Sequence, residues 1–243
     1  MEPSDREFCT KHNMKRTKHE IFDHVVYSCS ECSKEEEIAE KERKEEERKE
    51  MEQREINKRL HNSMITPRFR DKNLDNYISE NEGQKKALKI AKWFIDNIES
   101  APSLIFLGKP GTGKNHLASG IVKEVIRNHN KTALVTEAIK IIRDIKESWQ
   151  DRELKEHEVI REYIRPDLLV IDEIGVQFGS DTEKLYLSEI INDRYNYKKA
   201  TIILGNLTKD ELAETIGDRI LDRFRENGKM FIFDWDSHRS KVN

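Results

Sequence analysis

Chemistry concentrates first in the segment Gly108–Lys114, which carries glycines at 108, 111 and 113 and a lysine at 114. Glycines without Cβ atoms let several backbone N–H groups converge on one phosphate. The start of the following helix adds the positive end of its dipole, and the Lys114 ammonium reaches the β and γ oxygens. This is Walker A spacing, with Asn115 where a Ser or Thr ordinarily turns a hydroxyl toward Mg²⁺. An amide oxygen is also a ligand for a hard cation. A second constellation closes the apolar run Leu168–Ile171 with two acids, Asp172 and Glu173. Carboxylates at the end of a buried strand, coupled to a phosphate loop, have separable roles. Asp172 holds Mg²⁺, and Glu173 orients and deprotonates the attacking water.

A third constellation is metallic. Cys9 and His12 form one close pair, Cys29 and Cys32 another, and all three cysteines of the chain fall within this stretch. Thiolates with one imidazole, set in two short knuckles, suit tetrahedral zinc and point to a structural site. His19 and His24 are rival ligands; His12 is preferred because it completes the symmetrical pair. Between the pairs, the stretch 21–27 has the β-branched and aromatic content of a short strand able to pack over the metal.

These groups need elements to hold them. From residue 101 onward strands and helices alternate: strands at 103–107, 131–136, 167–172, 201–204 and 230–233, helices at 114–128, 138–149, 152–164, 183–196 and, mostly, 209–226. Continuous apolar runs at 168–171 and 202–204 mark strands buried on both faces, hence a parallel sheet between helix layers, an α/β fold. Ahead of it, Ala87, Leu88, Ala91, Phe94, Ile95 and Ile98 recur at helical spacing, and 62–77 reads as an irregular lead-in whose Tyr77 serves either a nucleobase or the core. Residues 34–59 are a charge run with acid-first pairs at i,i+4 (Glu40/Lys44, Glu45/Lys49, Glu50/Arg54 among them). Each pair stabilises an exposed helix by ~0.2–0.5 kcal/mol, so the run is either a solvated single helix or a charged linker that spaces the zinc module from the main domain. The expected organisation is 1–33 zinc module, 34–61 charged helix or linker, 62–243 ATPase domain.

Charged residues make up 37% of the 243 and the net charge is −3, so no global field favours DNA and any nucleic-acid surface is local. The absence of a long apolar stretch or a basic-then-apolar leader leads to the expectation of a cytoplasmic protein without a membrane partner. An odd cysteine count in a reducing compartment argues against a disulfide framework.

The pairing of the two nucleotide motifs resembles the AAA+ class of ATPases. The stretch from about Arg68 to Val242 more closely resembles the DnaC-like helicase loaders and the related IstB-like transposition-helper ATPases. The residues carrying the likeness are 108–116, 168–177, 217–223 and 234–239. The resemblance implies an AAA+ core without the C-terminal helical lid, with ATP contacted by Gly108, Lys109, Pro110, Gly111, Thr112, Gly113, Lys114, Asn115 and His116, and Mg²⁺ by Asn115 and Asp172. Asn206 matches sensor 1, Arg223 an arginine finger acting on a neighbouring subunit with Arg219 flanking it, and Arg239 sensor 2. It further implies a nucleotide-dependent homo-oligomer, a replicative DNA helicase as client and single-stranded DNA as ligand. The DNA candidates are the loop 175–179 with Phe178, and the basic residues near Lys140 and Arg143. A transposase client is the alternative.

Overall fold

The computed structural model describes residues 6–21, 24–150, 155–175 and 181–238. The chain divides into two compact units, Met1–Glu55 and Ile56–Asn243.

In the first unit, β1 (Phe8–Cys9) pairs antiparallel with β2 (Met14–Lys15), and β3 (Thr17–Ile21) with β4 (His24–Ser28). Of the expected single strand over 21–27, His24–Tyr27 lie in β4 and Ile21 ends its antiparallel partner β3, with 22–23 outside the described residues. Val25 and Val26 are about half exposed, at 50% and 47%, so they do not form a lid over the cysteines. Helix α1 (Ser30–Asn62) begins in this unit and contains no buried residue. With no apolar stripe, its local support is charge pairing: Glu40–Lys44 at 2.7 Å, Glu45–Lys49 at 3.6 Å and Glu50–Arg54 at 3.2 Å, all exposed. Each contributes a few tenths of a kcal/mol, roughly 0.3–0.5.

The second unit is built on five parallel strands in the order β6–β7–β8–β5–β9, where β5 is Ser103–Gly108, β6 Ala133–Glu137, β7 Leu168–Ile174, β8 Ala200–Gly205 and β9 Gly228–Phe233. Alternate residues of each strand serve opposite faces. Leu104, Phe106, Val170, Ile202 and Leu204 pack under α2 (Glu82–Asp96) and α3 (Lys114–His129). Ile105, Leu107, Leu169, Ile171 and Ile203 pack under α4 (Ala138–Ser148), α5 (Glu156–Ile164), α6 (Asp181–Asn196), α7 (Lys209–Ile216) and α8 (Asp218–Glu226). Burial on both faces explains why these strands read as continuous rather than alternating apolar runs. The expected long helix over 209–226 is two helices, because Gly217 adopts φ +84° between them.

This order places β5 beside β8, with the connections out of the two strands running to opposite sides of the sheet. Such a reversal opens a crevice at the carboxyl ends of the strands, where ligands bind in open α/β sheets.

Candidate functional site

The crevice holds the phosphate loop. Gly108 has φ +125°, and a Cβ there would lie 2.1 Å from Phe233 O; Gly113 has φ +100° and its Cβ would press on the Tyr77 ring at 3.0 Å. Only glycine fits the loop between β9 on one side and the Tyr77 ring on the other. Lys114 is buried, and its ammonium donates to Gly108 O at 2.6 Å, Lys109 O at 2.8 Å and Asn206 Oδ1 at 2.9 Å. Asn206, just past β8, is thereby brought to the phosphate-binding lysine.

The acids come from β7, which continues to Ile174, beyond the expected end at 172. Asp172 accepts a hydrogen bond from Asn115 Nδ2, and from Glu173 N at 2.8 Å. Glu173 has φ +54°, and the register between β7 and β8 shifts between Ile171 and Ile174. This bulge re-aims the Glu173 carboxylate out of the strand, and a non-glycine residue in left-handed conformation at a sheet edge is a strained device found at functional sites. Burial pushes the Asp172 carboxyl above its usual range, opposed by the Glu173 amide and Asn115. Glu173 is also raised, by burial first and then by the charges of Asp172 and Glu137. Asn115 and Asp172 are in direct contact, so one cation can engage both, provided that Asn115 presents its oxygen.

A cavity of about 530 Å³ joins these groups, lined by Pro110, Gly111, Gly113, Lys114, Asn115, His116, Asp172, Glu173 and Asn206. Thr112 is buried; its hydroxyl donates to Lys109 O at 2.8 Å and its own carbonyl accepts from Trp235 Nε1 at 3.0 Å. Tyr77 is buried in the core, edge-on to His116, which decides for packing over a stacked base. The sequence reading missed Arg68, Phe69, Lys72 and His238, which also line the cavity. The basic-aromatic run at 68–72 was the signal for the first three, and His238 falls within the stretch 234–239 that carries the family likeness. Arg239, and residues 176–179 of the loop 175–179 with Phe178, lie outside the described residues. Lys140 pairs with Asp144 at 2.6 Å, and Arg143 is exposed.

Arg223 lies elsewhere. Its guanidinium sits 4.8 Å above the Tyr195 ring, and Nη1 is buried with no hydrogen-bond partner among the described residues. It lines a cavity of about 670 Å³ together with Ser103, the first residue of β5, and Thr201, the second of β8. The loop lies at the opposite end of β5, a six-residue strand spanning about 16 Å. Arg223 thus faces away from the phosphate loop of its own chain. Arg219, one turn earlier, is exposed.

In the first unit Cys9, His12, Cys29 and Cys32 bring their ligand atoms within 4.8 Å of one another. His12 Nδ1 lies 3.7, 3.6 and 3.3 Å from the sulfurs of Cys9, Cys29 and Cys32, and the Cys9 and Cys32 sulfurs are 3.6 Å apart. A tetrahedral zinc with 2.3 Å bonds to sulfur and 2.0–2.1 Å bonds to nitrogen requires about 3.8 Å between sulfurs and about 3.6 Å from sulfur to nitrogen. The donor set therefore fits. Hydrogen bonds from the His12 amide and ring hold the Cys9 thiol down to about 6. Glu35 Oε1 is 3.1 Å from His12 Nε2, the carboxylate contact that fixes a ligating imidazole. The rival His19 is instead 2.7 Å from Ser28 Oγ, and His24 is exposed.

The sequence profile of the IstB-like ATP binding proteins matches residues 28–243. The replicative helicase loader DnaC of Escherichia coli strain K12 is 37% identical over 182 residues, covering 74% of this chain and 74% of that protein. The chain belongs to this DnaC/IstB-like family. A crystal structure of the DnaC helicase loader superposes with a TM-score of 0.63 at 27% identity, covering 69% of this chain and 99% of that one. AMPPCP-bound DnaA from Aquifex aeolicus, at 22% identity and a TM-score of 0.60 over 71% of this chain and 52% of that one, shares the fold. Membership makes this an ATP-binding α/β protein with an AAA+ core. No helix among the described residues is long and apolar enough to cross a membrane.

Proposed function

We propose that the chain is an ATP-hydrolysing loader that delivers a replicative helicase to single-stranded DNA, with hydrolysis at the junction between copies. The likeness to DnaC supports the helicase as client. The observation that carries the catalytic reading is the separation of parts. The loop, Asp172, Glu173 and Asn206 share one cavity, whereas Arg223 stands at the opposite end of the central strands with a nitrogen unpartnered among the described residues.

In this reading Lys114 and the loop amides bind the triphosphate, and Asn115 and Asp172 hold Mg²⁺. Glu173, whose raised pKa makes it a better proton acceptor, takes the proton from the attacking water while Asn206 orients it. Arg223 of the adjoining copy neutralises charge on the transferring phosphoryl group, with Arg219 beside it. Contacts of this head-to-tail kind make a nucleotide-dependent oligomer. Residues 1–33 bind zinc through Cys9, His12, Cys29 and Cys32 and, with the helix over 34–61, recruit the helicase to the ATPase core at 62–243.

Mixing two inactive variants tests the site. Lys114→Ala lacks a working pocket but keeps its arginine, and Arg223→Ala keeps the pocket. Each alone is expected to hydrolyse ATP at less than roughly 1% of the wild-type rate, since an arginine finger contributes about 10³–10⁵-fold. Together they regain a substantial fraction of it. An Arg223→Ala protein with full activity at any concentration would refute hydrolysis in trans. Co-purification with a replicative helicase, against a transposase as control, tests the client.

A further inference from the structure

Helix α3 does more than end the phosphate loop. Three of its residues, at spacings of four and three, carry the lead-in segment on one stripe. His116 Nε2 donates to Asn73 O at 2.8 Å and Asn76 Oδ1 at 2.9 Å. At Gly120 the helix passes so close that a Cβ would lie 2.7 Å from Leu74 Cδ2. Lys123 is buried, at 6% exposure, and its ammonium donates to Phe69 O at 3.0 Å, Arg70 O at 2.5 Å and Lys72 O at 2.5 Å. Three carbonyls converging on one cation without a carboxylate among its hydrogen-bond partners is a costly arrangement. Burial, with Arg127 nearby, pushes the Lys123 pKa down.

What this arrangement holds is one wall of the nucleotide cavity. Asp172, Glu173 and Asn206 surround the γ-phosphate end beyond Lys114. Arg68, Phe69 and Lys72, with His238, line the part of the cavity away from these acids, the part left for a nucleoside, and no side-chain hydrogen bond of Arg68, Phe69 or Lys72 is present among the described residues. Their backbone is held instead, by Lys123 on the same helix whose first turn receives the phosphates.

We propose that Lys123 is a positioning residue for nucleotide recognition: by clamping the 69–72 carbonyls to α3 it sets the nucleoside-side wall at a fixed distance from the phosphate loop. This rests on the nucleotide reading of the cavity. It makes the affinity added by the nucleoside, over that of the phosphates alone, depend on a buried cation that touches neither.

The test compares dissociation constants of ATP and inorganic tripolyphosphate, both with Mg²⁺, for the full chain and for Lys123→Met, Lys123→Gln and Lys123→Arg. Wild type is expected to prefer ATP. Lys123→Met should weaken ATP by about 10-fold, leaving tripolyphosphate within about 2-fold, as a lost preorganised wall requires. Lys123→Arg, which keeps several donors, should restore the preference, and Lys123→Gln should fall between. If Lys123→Met does not fold, the Gln and Arg variants decide in the same way. An ATP preference unchanged in Lys123→Gln, equal loss of both ligands, or a wild type without preference would each overturn the inference. Failure of wild type to bind either ligand would instead reject the phosphate-loop reading beneath it.

Discussion

The zinc reading of the Cys9/His12/Cys29/Cys32 cage predicts that a chelator unfolds both N-terminal ribbons while sparing the second unit. Cys9 and Cys29 are the only fully buried apolar side chains described in residues 6–33. Burying two groups of that size contributes on the order of 2 kcal/mol at ~25 cal/mol per Å². Ordering β1–β4 costs about 1–2 kcal/mol for every backbone residue fixed, and an isolated two-stranded ribbon is marginal even with good side-chain pairs. A structural zinc supplies about 10–16 kcal/mol, enough to reverse that balance, and nothing else among the described residues of the segment does. The assay is amide hydrogen exchange at Val25–Ser28 and at Cys9, read with zinc content before and after treatment with a strong chelator. One zinc per chain is expected at the start. On its removal protection should vanish in the ribbons and persist in β5, β7 and β8. His12→Ala should reproduce this without chelator, and Glu35→Gln should weaken zinc by about 10-fold through loss of the imidazole's carboxylate. Ribbons still protected in metal-free protein would refute the reasoning, because the missing stabilisation would then have another source.

Two further outcomes follow from the second unit. Asp172 and Glu173 are raised chiefly by burial, and the charge at Glu137 raises both further. A protonated carboxylate neither holds Mg²⁺ nor accepts a proton, so hydrolysis should be lost on acidification at a higher pH than for carboxylates in water. Glu137→Gln removes a negative neighbour, lowers both pKa values and should move that acid limb to lower pH, read from initial rates across a pH series. Arg194 is fully buried and donates to Tyr163 O, Ile164 O, Pro166 O and Ala200 O and to Thr201 Oγ1. Arg194→Met orphans these acceptors and should destabilise the second unit by about 3 kcal/mol, measured as a fall in urea midpoint at unchanged slope.

The parts of this molecule that show in its sequence are those where chemistry is local. Glycines 108, 111 and 113 ahead of Lys114, the acids closing an apolar run, and the two Cys/His knuckles are all patterns over a few neighbouring positions. What stayed hidden depends on docking across distance. Arg68, Phe69 and Lys72 become a wall only when α3 holds their carbonyls, and nothing in the local pattern of α3 distinguishes Lys123 from a solvated lysine. Arg194 likewise reads as a surface residue of α6. The break at Gly217 and the bulge at Glu173 are backbone decisions that follow from packing between elements, which hydrophobic periodicity does not encode.

The strand β9 and the residues behind it brace the phosphate loop from outside. Lys109 N donates to Phe233 O at 3.3 Å, Trp235 Nε1 to Thr112 O at 3.0 Å and His238 N to Gly111 O at 2.9 Å. For anyone labelling or immobilising the protein, a fluorophore or affinity handle joined closely behind position 238 would tug on the strap that keeps the glycines in place and so depress nucleotide capture.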